Sequence, residues 1–206
     1  VGYRYDYCNP DALLTRLSVK DGQWTTPDGI TYPLLWIPQP GRMQPETVER
    51  LLELVKQGGV LVADAPTGIA TLGQSNRQKE RFLAAVSALW PQSGQKERTL
   101  GQGRVLSGIS LENALRHLNI APDVNGIGNQ WLHRKTEGAD WYFVCADRET
   151  PFNGEVEFNC TGRVEIWNPV NGTVKEIPST QQDGKTRIDI VLSKAECAFV
   201  VFHHDG

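Results

Sequence analysis

No apolar run in the 206-residue sequence approaches the ~20 residues that a membrane-spanning helix requires, so no helical span is predicted. Positive charge is not in excess either. With 21 Lys+Arg against 24 Asp+Glu the formal charge is -3, which lacks the basic footprint that nucleic acid or an anionic membrane surface would select. Cysteine is scarce, and Cys8, Cys145, Cys160 and Cys197 form neither a CxxC nor a zinc-ligand spacing. Buried thiols are therefore the expected state. If one bridge forms, Cys145 with Cys160 is the expected pair, because both fall in strand-like segments close in sequence. After Val1 there is neither a charged n-region nor an apolar h-region, so the chain reads as a piece of a longer or processed protein whose location no signal reveals.

What is present is ordinary for a folded chain: 39% hydrophobic and 22% charged residues, at a length that suits one large domain or two small ones. The first part alternates strand-like and helix-like segments. Leu34, Leu35, Trp36 and Ile37 form a continuous apolar run between prolines, the pattern of a strand buried on both faces. A helix is predicted next, with Pro45 at its first position, Glu46 in its first turn, an apolar stripe of Val48, Leu51, Leu52 and Val55, and Gly58 at its end. Val60 to Ala63 returns as a buried strand, completing a right-handed strand-helix-strand unit. Residues 76–90 predict a second helix with Phe82, Leu83, Val86, Leu89 and Trp90 on its inner side, and Ser110 an N-cap for a third. Asn9-Pro10-Asp11 starts a short helix by the same chemistry.

Past Ala121-Pro122-Asp123, helical periodicity stops. Seven short strand-like stretches follow: 131–136, 140–146, 155–159, 164–167, 173–177, 187–192 and 197–203. Turn pairs such as Asn153-Gly154, Asn171-Gly172 and Asp183-Gly184 separate them, which predicts an antiparallel β-sandwich. The expected architecture is thus α/β plus all-β, with an α/β domain over 1–121 and a β-sandwich over 122–206.

Chemistry is harder to find. The loop after Val60 to Ala63 reads Asp64-Ala65-Pro66-Thr67-Gly68, with neither the glycine spacing of a phosphate cradle nor a nucleophile at an elbow. Asp64 is expected to cap its loop. His133, Arg134 and Lys135, with Asp140 one turn away, could bind an anion or sugar hydroxyls, but strand alternation sends every second side chain to solvent and predicts a solvated face. His203, His204 and Asp205 read as an end-of-chain tail, since adjacent histidines on a strand point to opposite faces. No catalytic residue and no metal site is expected. Trp131, Trp141 and Trp167 are the candidate glycan contacts, because an exposed indole offers an apolar platform to a sugar and an N–H for hydrogen bonding. Core packing of the same rings is the competing expectation. Asn159-Cys160-Thr161 and Asn171-Gly172-Thr173 match the glycosylation sequon, which matters only in a eukaryotic secretory chain.

The phrases YDYCNPDALL, DGQWTTPDGITYPLLWIPQPGRMQPETVERLLELVKQGG, GQGRVLSG, WLHRKTEGADWYFVCADR and GRVEIWNPVNG follow one another in this order from Tyr5 to Gly172, and the resemblance they carry extends over nearly the whole chain. Together they resemble the C-terminal part of large bacterial glycoside hydrolases of the α-L-rhamnosidase type, family 106, common among polysaccharide-degrading Bacteroidetes. In the last phrase Asn168 stands where an aspartate is more usual. The resemblance implies a flavodoxin-like or amidotransferase-like α/β domain followed by a β-sandwich. It further implies a parent enzyme that hydrolyses rhamnosidic bonds of plant pectic polysaccharide with inversion, using paired carboxylates, with calcium possible in the catalytic domain. Those carboxylates would lie in a barrel upstream of Val1, so no catalytic residue carries over to this chain. Its partners would be that barrel and possibly carbohydrate, in a periplasmic, cell-surface or secreted location. An inverting pair stands about 6.5–9.5 Å apart, and the acidic residues here are scattered singly over turns and helix faces.

Overall fold

A computed structural model describes residues 2–70, 73, 75–128 and 130–204. Its residues group into two compact units, one of residues 7–120 and one that joins residues 2–6 to residues 121–204. Strands dominate: the described residues form five sheets and four helices.

In the unit of residues 7–120, local chemistry places the helices where the sequence predicts them. The Asn9 side chain accepts from the Ala12 N–H at 2.8 Å and starts the helix Pro10–Thr15. Pro45 opens Pro45–Lys56, Ser75 and Gln78 make a reciprocal capping box at the start of Asn76–Leu89, and Ser110 caps Leu111–His117. A four-stranded sheet runs in the order Leu35–Ile37, Val60–Ala63, Gly103–Leu106, Glu97–Leu100, with the first three strands parallel and the last antiparallel. Leu61, Ala63 and Val105 join the larger core with Val48, Leu51, Leu54, Val55, Phe82 and Leu89, while Val62 and Leu106 meet Ala114 in a smaller cluster. Trp24 and Trp90 are buried, and each indole N–H donates to a carbonyl of the central strand, at Val60 and Ala63 respectively, both at 2.9 Å. The backbones close up so tightly that a Cβ on Gly103 would collide with the carbonyls of Val55 and Gly59.

Several expectations change here. The run Leu34 to Ile37 is an edge strand, and Trp36 is 46% exposed rather than buried on both faces. The helical stripes are rotated slightly: Leu54 is fully buried where Leu52 was expected, and Leu83 is 54% exposed. The flavodoxin-like layer does not emerge. Parallel pairing in the four-stranded sheet is confined to three strands of three or four residues, and Ser18–Lys20, Gln23–Thr25 and Thr31–Tyr32 form an antiparallel meander instead. Turns at Asp21-Gly22 and Asp28-Gly29 reverse the chain too quickly for a crossover helix.

The other unit is an antiparallel sandwich. One sheet runs Val124–Asn125, Phe152–Phe158, Lys185–Leu192, Thr180–Gln182. Its partner runs Trp131–Lys135, Ala139–Cys145, Cys197–His203, Arg163–Trp167, Val174–Glu176. Val156, Phe158, Ile188 and Ile190 from the first sheet pack with Tyr142, Val144, Val164, Val200 and Phe202 from the second in one core. Each of the seven predicted stretches carries a strand, with ends shifted by up to a few residues.

Register decides the disulfide. Cys145 and Cys197 are direct cross-strand partners with Cα atoms 4.1 Å apart, and they are bridged. The expected Cys145–Cys160 pair is therefore wrong: Cys160 lies beyond the end of Phe152–Phe158 in the other sheet and is free, as is Cys8. Sequence proximity is a poor guide in a sandwich, where consecutive strands can belong to different sheets. Peptide mapping of non-reduced protein should recover a Cys145–Cys197 cross-link, with Cys8 alkylated in the folded protein and Cys160 only after denaturation. The C145S/C197S double variant should lose about 2–4 kcal/mol of stability in chemical denaturation.

Candidate functional site

The densest polar cluster lies at one end of the five-stranded sheet and grows out of its register. In Ala139–Cys145 the residues Asp140, Tyr142 and Val144 are buried, so Asp140 is a carboxylate on the core-facing side, only 3% exposed. His133 pairs with Tyr142 across the neighbouring strand and stacks on its ring, centroids 4.1 Å apart and planes 10° from parallel. That placement sets the imidazole between two carboxylates. Its Nδ1 is 2.9 Å from Asp123 Oδ2, and its Nε2 is 2.7 Å from Asp140 Oδ1. The second oxygen of Asp123 accepts from the Tyr142 hydroxyl at 2.9 Å, and the second oxygen of Asp140 lies 2.6 Å from His204 Nε2. Lys135 is 3.9 Å from the same oxygen.

Both ring nitrogens of His133 face carboxylate oxygens, and a neutral imidazole can donate from only one of them. Burial pulls the His133 pKa down, but the hydrogen bonds and charges of Asp123 and Asp140 outweigh it and leave the pKa raised. When protonated, the imidazole can donate to both carboxylates, which close around it. Burial, with the negative surroundings of Cys160 and Asp123, pushes the Tyr142 phenol well above its ordinary range. Burial likewise pushes the Cys160 thiol up to about 12, so the thiolate a nucleophile needs is suppressed. The imidazole fills the gap between Asp123 and Asp140, which an inverting glycosidase would have to leave open for sugar and water. As an arrangement, this cluster locks strands together.

Other singled-out residues fall as follows. Asp64 Oδ1 accepts from the Ser107 hydroxyl at 2.9 Å and the Gly108 N–H at 2.6 Å, capping the loops after two parallel strands. Arg134 and Lys135 are both exposed, although strand alternation would send only one of two neighbours to solvent, and His133 is half-buried. His203 and His204 do point apart, yet each meets a carboxylate: His203 Nε2 lies 2.9 Å from Glu165 Oε2. The tail reading is corrected for these two histidines, and Asp205 lies outside the described residues. Hydrogen bonds from Arg163, the Trp167 indole and His203 hold the Glu165 carboxyl down at about 2. Among the described residues no group of three or more His, Cys, Asp or Glu is placed to hold a metal ion.

The three tryptophans do not converge. Trp131 is 2% exposed on the core side, beneath the Arg4 guanidinium 4.5 Å from its ring, so its expected role as a surface platform is overturned. Trp141 and Trp167 lie half-buried on the outward side of the same sheet, edge to face at 79° with centroids 5.1 Å apart. The Trp167 N–H donates to Glu165 at 2.8 Å, and the Trp141 N–H is buried without a partner among the described residues. Sequence reading missed Asp123, noted only where helical periodicity stops, and the inward role of Asp140. The signal available was that Asp140 and Tyr142 share a parity on a strand whose inner positions are apolar.

The alpha-L-rhamnosidase family model matches residues 1–181. A Formosa agariphila protein that carries the name beta-glucuronidase is 30% identical over 207 aligned positions, which span 98% of this chain and 17% of that protein. The solved rhamnosidase of Novosphingobium sp. PP1Y superimposes on all of this chain at a TM-score of 0.89 with 27% identity, and the match covers 20% of that structure's chain. The chain therefore spans about a fifth or less of the length of the relatives it matches.

Because the His133 pKa is raised on folding, its stabilisation is complete below the unfolded value near 6.5 and is lost as pH rises through the folded value. The melting temperature should therefore fall as the pH is raised from below 6.5 to alkaline values. In the His133→Gln variant that slope should flatten. Asp140→Ala leaves two histidines without their shared acceptor and should cost about 2–3 kcal/mol by chemical denaturation.

Proposed function

This chain belongs to the alpha-L-rhamnosidase family of glycoside hydrolases, and from that premise we propose that it is a non-catalytic accessory region of a larger enzyme acting on rhamnosidic bonds of plant pectic polysaccharide. The observation that carries the reading is one of proportion. The chain aligns over nearly all of its own length with only 17% and 20% of two relatives, so their activity can reside elsewhere in them. In support, the carboxylate-histidine cluster around His133 is internally satisfied, with both oxygens of Asp123 and of Asp140 already engaged.

On this reading the catalytic carboxylates, and any calcium they work with, belong to a barrel in another part of the same polypeptide. The Cys145–Cys197 bridge favours an oxidising compartment, in keeping with a periplasmic or surface-exposed enzyme. A carbohydrate-binding module is the competing reading, and it would rest on Trp141 and Trp167. Their perpendicular rings and occupied or buried N–H groups count against it, because a sugar platform needs an open ring face and a free donor.

The test compares the 206-residue chain with the longer polypeptide that contains it, using p-nitrophenyl α-L-rhamnoside and p-nitrophenyl β-glucuronide. Turnover is expected from the longer polypeptide alone. Hydrolysis by the 206-residue chain, abolished by an acid-to-amide substitution within it, would overturn the proposal. Rhamnose-containing pectic oligosaccharides should leave the tryptophan fluorescence of the short chain unquenched; saturable quenching lost in Trp141→Ala would favour the binding module instead.

A further inference from the structure

The two sheets of the sandwich present very different outward faces. On the strand Lys185–Leu192 burial alternates without a break, and the outward residues Arg187 and Asp189 meet Glu157 and Glu155 of the neighbouring strand. This is the pattern of an antiparallel sheet with one face in water. Ala139–Cys145 and Cys197–His203 alternate in burial over most of their length but not in polarity. They read ADWYFVC and CAFVVFH, apolar on both faces, as strands covered from both sides do.

Register turns this into a surface. Leu132 pairs with Phe143, Phe143 with Phe199, Phe199 with Trp167, and Trp167 with Val174. One apolar row thus crosses all five strands on the outward side, spanning about 19 Å at the usual strand spacing. Its ends are open, with Leu132 50% and Val174 48% exposed, and Phe143, Phe199 and Trp167 between them are half-buried. The disulfide Cys145–Cys197 borders the row on one side. On the other lies the register row Arg134, Trp141, Val201, Glu165 and Glu176, basic at one edge and acidic at the other.

We propose that this outward face of the five-stranded sheet is a docking surface for another part of the same polypeptide, which lays an apolar ridge along the row from Leu132 to Val174. The inference rests on the reading of the chain as one region of a larger hydrolase and names the surface through which it joins the rest. The occupant is protein rather than glycan, since the Trp141 and Trp167 rings stand at 79°, the Trp167 N–H is already bonded to Glu165 and the Trp141 N–H is buried out of reach. It belongs to the same polypeptide because the relatives are about five to six times the length of the aligned region, taken from the 20% and 17% shares. A contiguous apolar face of this size on such a region is ordinarily covered.

Hydroxyl-radical footprinting of the longer polypeptide tests this, with Val191 as internal reference: it is 72% exposed on the other sheet. After correction for intrinsic reactivity, Leu132 and Val174 should be oxidised about fivefold more slowly than Val191, because a docked partner excludes water. The L132K/V174K variant alters only exposed side chains and should raise Trp167 oxidation by about the same factor. Labelling of Leu132 and Val174 at a rate close to that of Val191 would overturn the proposal. So would protection that develops only when pectic oligosaccharide is added. Rhamnoside hydrolysis by the same preparation separates the two readings. A protected face without hydrolysis sinks the accessory-region proposal alone, and hydrolysis with an open face sinks the docking proposal alone.

Discussion

The register of the strand Ala139–Cys145 is the constraint on which the rest of the sandwich depends. With a side-chain period of two, a slip of one residue would bring Trp141, Phe143 and Cys145 inward and throw Asp140, Tyr142 and Val144 out. In the observed register Tyr142 enters the core against Phe158 and Phe202, and Asp140 comes within reach of two histidines. The disulfide opposite Cys197 and the outward row through Phe143 follow from the same choice. The imidazole of His133 reinforces it, because it ties Asp123, which lies ahead of the first strands, to Asp140 within the hairpin.

That network is also satisfied within itself. Buried charge is tolerable only when paired and hydrogen-bonded. Here Asp140 keeps both oxygens engaged at 3% exposure, and His133 spends both nitrogens on carboxylates. The open features of the unit are its faces: a charged one on the sheet containing Lys185–Leu192, and an aromatic one on the sheet that carries the disulfide. The proposed accessory role starts from the same proportion: the chain matches only a fifth or less of its relatives.

Much of the local structure was legible in the residues. Asn9, Pro45, Ser75 and Ser110 mark helix starts by satisfying or dispensing with the first free N–H groups, and this chemistry acts within four residues of chain. The turn pairs between residues 137 and 184 announce short antiparallel strands for the same reason. The exposed Trp36 and Leu83 were misjudged, since an apolar residue on an edge strand or a helix flank carries no mark of its neighbours.

What the sequence by itself determined is therefore what is encoded at short range: element types, caps, turns, and the change from helical to strand periodicity near residue 121. Family membership was also readable, from tryptophan- and glycine-bearing phrases that run from Tyr5 to Gly172. Tertiary structure alone decided which strands share a sheet, and with that every long-range partnership. Cys145 found Cys197 across 52 residues instead of nearby Cys160, and His204 found Asp140 across 64. Trp131 was sent inward and Trp141 outward although they sit on adjacent strands. Pairing between distant segments depends on the joint burial of many side chains at once, and no short window of sequence contains that sum.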